Sequence, residues 1–237
     1  MRMTFLFLAM IGCQIMRTWA SSATLRLKLA VWGKGLNIKF SNTIMAIGRL
    51  AALTVIMMLP RGAAAVELEM FAEQAVERLS QYLQIDTINP PGNESRGVEF
   101  LSKLLDEAGI EYHTAESAPG RGNLWAKLPA TTQRKERGLV LLHHIDVVPA
   151  NRDYWSFDPL SGEVKGGWIY GRGAIDTKGL GMIHLQAFLA LHESGLPRNR
   201  DVWFIATADE EAGGFFGAGW LIEAHPEVFS DVGYVLN

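Results

Sequence analysis

The stretch Leu139-Val-Leu-Leu-His-His-Ile-Asp-Val-Val-Pro149 constrains the fold of this chain more than any other. It begins as an unbroken apolar run, the pattern of a strand buried on both faces of a sheet. It then presents His144 and Asp146, two residues apart, and closes on Pro149. Side chains two apart on a strand share a face, so both are expected to project from the carboxyl end of a core strand. In open α/β sheets that end is where ligands bind. A neutral imidazole binds metal, and a neighbouring carboxylate can accept its other N–H and so fix tautomer and orientation. Taken alone, such a pair is more commonly a buried histidine satisfied by an aspartate.

The sequence around this strand alternates helical and extended patterns. From Leu68, apolar residues at Phe71, Ala72, Ala75, Val76, Leu79 and Leu83 follow helical spacing. Asp86-Thr-Ile-Asn-Pro-Pro-Gly92 breaks that helix. A second helix is expected from Glu94 to Ala108, with Val98, Leu101, Leu104 and Leu105 inward and Gly109 just past its end. Strands are expected over Ile110 to Thr114 and Asn123 to Leu128, joined by a turn rich in Gly and Pro. After the central strand, Asn151 to Gly167 reads as a loop and Gly167 to Gly171 as a short strand. A helix over Lys178 to Glu193, a buried strand over Asp201 to Thr207, a short helix over Phe216 to Ala224 and a strand from Gly233 to Leu236 complete the pattern. Alternation of this kind predicts an α/β sheet with helices on both faces.

Residues 1–65 have a different character. Two apolar runs, Thr4 to Met16 and Leu50 to Leu59, flank a basic linker with Arg26, Lys28, Lys34 and Lys39. Neither run reaches the roughly 20 apolar residues needed to span a bilayer. Arg49, the Leu50–Leu59 run and Ala63-Ala64-Ala65 have the layout of a secretory signal, with Met45 as its start. This predicts a secreted or periplasmic protein whose folded domain occupies residues 66–237. A lipoprotein anchor at Cys13 is the rival layout, and a poorly ordered extension is a third.

Three polar clusters carry the chemistry: His144 with Asp146, Asp176, and Glu210 with Glu211. Each alone has an ordinary description. Asp176 reads as a cap for the helix that follows it, and Glu210-Glu211 as a solvated pair. Together they suit a pair of divalent ions about 3.5–4 Å apart, which needs a bridging carboxylate, terminal ligands and a base for the attacking water. Cys13 is the only cysteine, so a metal here must be held by His, Asp and Glu. The chain carries 22 Lys and Arg against 25 Asp and Glu, a balance that argues against nucleic acid as a main partner.

Three motifs stand out: His144-Ile-Asp146-Val-Val-Pro149, Gly171-Arg-Gly-Ala-Ile-Asp176-Thr-Lys-Gly179 and Asp209-Glu210-Glu211-Ala-Gly-Gly214. Together they resemble the dizinc aminoacylase and glutamate carboxypeptidase family, which includes succinyl-diaminopimelate desuccinylase and acetylornithine deacetylase. The resemblance covers Leu68 to Asn237. It implies a zinc-exopeptidase-like three-layer α/β sandwich with a mostly parallel central sheet. It implies two Zn2+ ions, with His144 a ligand on one, Glu211 a ligand on the other and Asp176 bridging both. Asp146 would orient His144, and Glu210 would be general base and then acid. A cis peptide between Asp176 and Thr177 is implied as well. The implied reaction is hydrolysis of an amide bond, commonly next to a free carboxylate, in a small peptide or an N-acyl amino acid.

The family pattern also calls for a further carboxylate ligand and a late histidine, both beyond Asn237, and His225 does not stand where that histidine belongs. The chain therefore reads as the first part of a catalytic domain, without the lid domain through which such proteins form homodimers. Two alternatives stay open: an inactive remnant or binding module, and a metalloaminopeptidase of related fold.

Overall fold

The structure is a computed structural model that describes residues 26–31, 34–39 and 61–237. Two compact units divide the chain, Met1–Ala65 and Val66–Asn237. In the first, β1 (Arg26–Val31) and β2 (Lys34–Lys39) pair antiparallel from Arg26↔Lys39 to Val31↔Lys34. From composition alone this stretch is expected to be a basic linker. Arg26, Lys28, Asn37 and Lys39 alternate with Leu27, Leu29, Leu36 and Ile38, a period-two pattern that suits paired strands. The expected signal run Leu50–Leu59 and Cys13 lie outside the described residues.

Helix α1 (Arg61–Leu83) begins earlier than expected and includes Ala63 to Ala65, which the sequence reading placed at a cleavage site. Alanine is the strongest helix former, and Pro60 stands immediately before the first helical residue. Helix α2 (Glu94–Glu107) buries Val98, Leu101, Leu104 and Leu105, as its spacing predicts. It ends in a left-handed Gly109, with Gly109 N–H donating to Asp106 O and Ile110 N–H to Leu105 O, each at 3.0 Å. That cap takes up Ile110, so β3 (Tyr112–Glu116) starts later than expected. Strands β4 (Gly122–Leu128) and β5 (Gly138–His144) follow. The loop expected after β5 contains a short strand, β6 (Glu163–Lys165), which pairs antiparallel with β7 (Trp168–Tyr170), the short strand expected over Gly167 to Gly171. Next come α3 (Lys178–Glu193), β8 (Val202–Thr207), α4 (Ala218–Ala224) and β9 (Val232–Leu236).

The central sheet has the order β3-β4-β8-β5-β9. Strand β5 runs parallel to both β8 and β9, whereas β3–β4 and β4–β8 are antiparallel. The sheet is thus mixed, and less parallel than expected. The short connection between β3 and β4 leaves no room for a crossover, so those strands must run antiparallel.

Side chains divide between the two faces with period two. Leu124, Ala126, Leu141, Phe204 and Ala206 pack with Tyr82 of α1, Leu101 and Leu105 of α2, and Met182, Leu185 and Phe188 of α3. Trp125, Val140 and Ile205 face the other way, against Leu221 of α4 and Val228. The result is a three-layer α/β arrangement with β5 in its interior. Helix α3 comes close to β5 at Gly181, where an added Cβ would lie 2.2 Å from the buried His143 ring.

Candidate metal centre

Strands β5 and β8 are parallel neighbours with His144 opposite Thr207. Both therefore deliver their following residues to the same edge of the sheet. His144 is buried there. Its Nδ1 lies 2.9 Å from the backbone oxygen of Asp146, and its Nε2 lies 3.0 Å from Asp176 Oδ1 and 3.6 Å from Glu210 Oε2. Burial alone lowers the imidazole pKa, but Asp146 and Asp176 outweigh it and raise His144 to about 9. Both ring nitrogens then donate, Nδ1–H to Asp146 O and Nε2–H to Asp176.

Asp146 is fully buried, and its carboxylate does a different job from the one expected. The hydrogen bond to His144 ends on its backbone oxygen, while Oδ1 stays 3.6 Å from Nδ1. Strand β5 ends at His144, so strict strand alternation no longer governs residue 146. The carboxylate instead accepts the backbone N–H of Glu210 at 3.0 Å, that of Glu211 at 3.1 Å, and Asn89 Nδ2 at 2.8 Å. Burial pushes the Asp146 carboxyl up, but His144, Asn89 and the Glu211 N–H together hold it below the usual range.

Glu210 and Glu211 lie in a single 3-10 turn, Glu210–Ala212, between left-handed Asp209 and left-handed Gly213. Burial raises the Glu211 pKa; the charge of His144 opposes this, and Asp176, Asp146 and Glu210 add to it. Asp176 stands before α3, with its side chain 72% exposed. The helix cap is Thr177, so Asp176 is not a capping residue. The Asp176–Thr177 peptide is cis, as the resemblance implied.

His144, Glu210 and Glu211 offer ligand atoms that all lie within 4.8 Å of one another. Asp176 joins them through its contact with His144 but stands outside that mutual group. His225 is elsewhere, packed on Trp125 at 4.7 Å and 3.2 Å from Glu227. A cavity of about 160 Å³ opens beside His144, lined among others by Leu142, Thr207, Ala208 and Glu210. A larger one of about 590 Å³, lined by His113, Trp125, Lys127, Trp203 and His225 among others, holds none of the three clusters. One imidazole and several carboxylates, without thiolate, suit a divalent cation such as zinc.

Several supporting residues carry little signal in the sequence. Lys178 is completely buried and donates to Tyr82 O at 3.1 Å and Ile85 O at 2.7 Å, tying the start of α3 to the end of α1. Burial lowers its pKa to about 7. Asn89 and Arg121 are buried too. The only sequence signal for Lys178 was its place inside the Gly171–Gly179 motif, and the other two stood in segments read as turns.

Residues 140–236 match Peptidase family M20/M25/M40. Succinyl-diaminopimelate desuccinylase of Methylocella silvestris is 35% identical over 64% of this chain and 39% of its own length. Aminoacylase-1 of Sus scrofa is 33% identical over 60% of this chain and 35% of its own length. The chain thus spans less than half the length of these curated relatives. Human carnosine dipeptidase 1 superposes with a TM-score of 0.59 at 24% identity, over 71% of this chain and 39% of that one. An M20 family metallo-carboxypeptidase from Sulfolobus solfataricus gives 0.56 at 23%, over 65% and 35%. These two structures share the α/β fold described above. The stretch 140–236 that matches Peptidase family M20/M25/M40 is the one that carries His144, Asp176, Glu210 and Glu211.

Proposed function

We propose that this chain supplies part of the active site of a metal-dependent amide hydrolase that uses two Zn2+ ions. The supporting observation is the mutual approach, within 4.8 Å, of His144, Glu210 and Glu211 at the carboxyl ends of two parallel strands. His144 would bind one ion through Nε2 and Glu211 the other, with Asp176 shared between them. Bound zinc would polarise the amide carbonyl and acidify a water. Glu210, with its side chain 60% exposed, is free to take that water's proton and return it to the leaving nitrogen. Asp146 keeps both glutamates in register by holding their backbone N–H groups. His144, Asp176 and Glu211 are fewer groups than two four-coordinate zinc sites require, so further ligands must come from outside this set.

The names of the relatives, a desuccinylase and aminoacylase-1, favour a small peptide or an N-acyl amino acid as substrate. On the same reading residues 66–237 are the hydrolase part, residues 45–65 a secretory signal, and dimerisation a property of a lid domain. The test is hydrolysis of N-acyl amino acids and dipeptides by the longest gene product that contains this chain, with and without Zn2+. Glu210→Ala is expected to keep the metal and lose roughly 10²–10⁴-fold in rate. Loss of metal on that change, with Glu211→Ala retaining it, would reverse the two roles. Turnover insensitive to chelation and to Glu210→Ala would exclude this chemistry.

A further inference from the structure

Behind the Glu210–Glu211 corner lies a group of buried polar side chains that the hydrolytic chemistry does not use. Arg121 is at its centre, 8% exposed. Its Nη2 lies 2.9 Å from Glu94 Oε1 and 2.6 Å from Asp209 Oδ1. Its Nη1 donates to Asn89 Oδ1 at 3.3 Å and to Pro91 O at 3.0 Å. Asn89 donates onward through Nδ2 to Asp146 Oδ2 at 2.8 Å and to Asp209 Oδ1 at 3.3 Å. Asp209 is held at its backbone too: its N–H donates to Glu94 Oε1 at 3.2 Å, and its Oδ2 accepts Phe216 N–H at 3.1 Å.

This arrangement is a poor device for stability alone. Burying ions costs more than their attraction returns unless every partner is satisfied. Here Glu94 Oε2 and Arg121 Nε have no hydrogen-bond partner. What the group does determine is a backbone angle. Asp209 has φ 68°, the only positive φ outside glycine among the described residues. A side-chain-bearing residue keeps that conformation where its surroundings enforce it. The turn it creates sends the next two N–H groups, those of Glu210 and Glu211, onto the Asp146 carboxylate.

We propose that Arg121 is a positioning residue. With Glu94 and Asn89 it clamps Asp209 in the left-handed conformation and thereby aims Glu210 and Glu211 at His144. Its consequence for metal binding rests on the function proposed above; the clamp itself does not. The distance from Arg121 to the reacting atoms is bridged by Asp209 and by Asn89 with Asp146, so its effect is transmitted through backbone direction.

The experiment uses the 237-residue chain and three measurements. Far-UV circular dichroism and amide exchange in β5 and β8 report the fold. Amide exchange at Glu210 and Glu211 reports the corner, and Co2+ titration followed by visible absorption reports the ligands. The double variant Glu94→Gln/Arg121→Gln removes the clamp and leaves Asp209 with Asn89 Nδ2 and Phe216 N–H as its partners. Asp209→Gly removes the carboxylate while tolerating positive φ, and it decides the matter if the double variant does not fold. Both are expected to keep the fold signals, to exchange the two corner amides roughly tenfold faster, and to bind Co2+ about 10–100-fold more weakly. Unchanged corner exchange in a folded variant overturns the proposal, as does faster exchange with unchanged Co2+ affinity. A parent chain that binds no Co2+ refutes the metal reading instead, and faster corner exchange in the variants then still supports the clamp.

Discussion

At His144 the imidazole is held at both nitrogens, by Asp146 O and by Asp176. A metal ion requires the neutral ring, so binding must displace the Nε2 proton. With the pKa raised to about 9, that proton is still present at neutral pH. Raising the pH from 6 towards 9 is therefore expected to strengthen zinc binding by up to about tenfold per unit from this one group. Titrations at several pH values check the slope, and a flat dependence over that range would place Nε2 outside the metal site. Asp176 makes the sharper case. As the shared ligand, its replacement in Asp176→Ala is expected to abolish both ions together, read as metal per chain by elemental analysis. Two ions retained would exclude bridging. At this scale the sequence showed which residues matter but not which atoms meet. The spacing of His144 and Asp146 suggested a carboxylate–imidazole bond, yet the strand ends between them and the backbone oxygen takes that proton.

Among the elements, α3 and β5 set the site by packing, and their contact is testable. Gly181 lies against the His143 ring, which Tyr82 OH contacts at 3.2 Å and Phe204 flanks at 5.4 Å between centroids. The ring has nowhere to move, so Gly181→Ala is expected to destabilise the protein by about 1–3 kcal/mol through overpacking. A denaturant midpoint equal to that of the parent would show that the helix and strand can separate freely. Most helices and the buried strands were legible because apolar spacing reports them directly; α3 was expected at its observed bounds. What was missed follows from competition between local and distant partners. Ile110 joins a helix cap instead of a strand, and the three-residue β6, Glu163–Lys165, is too short and polar to register as the partner of β7. The buried Arg121 cluster left no trace because each of its members is an ordinary polar residue until the fold assembles them.

For the molecule as a whole, the sheet exposes one apolar margin. Strand β9 pairs with β5 on one side, and among the described residues no strand pairs with its other side. Its Tyr234, Val235 and Leu236 are each more than half exposed. Open, apolar strand edges recruit further strands. The 237-residue chain is therefore expected to self-associate, as judged by light scattering, and Val235→Lys is expected to reduce that association. A monodisperse monomer at high concentration would contradict the expectation. The α/β class was readable from alternation, whereas the balance of parallel and antiparallel strands was not, since it depends on which strands become neighbours. The proposed metal site lies at the ends of β5 and β8. Anomalous X-ray scattering at the zinc edge, from crystals of the chain grown with Zn2+, tests it most directly. A peak is expected about 2.0–2.2 Å from both His144 Nε2 and a carboxylate oxygen. Full zinc occupancy elsewhere with none beside His144, Asp176 or Glu211 would contradict it.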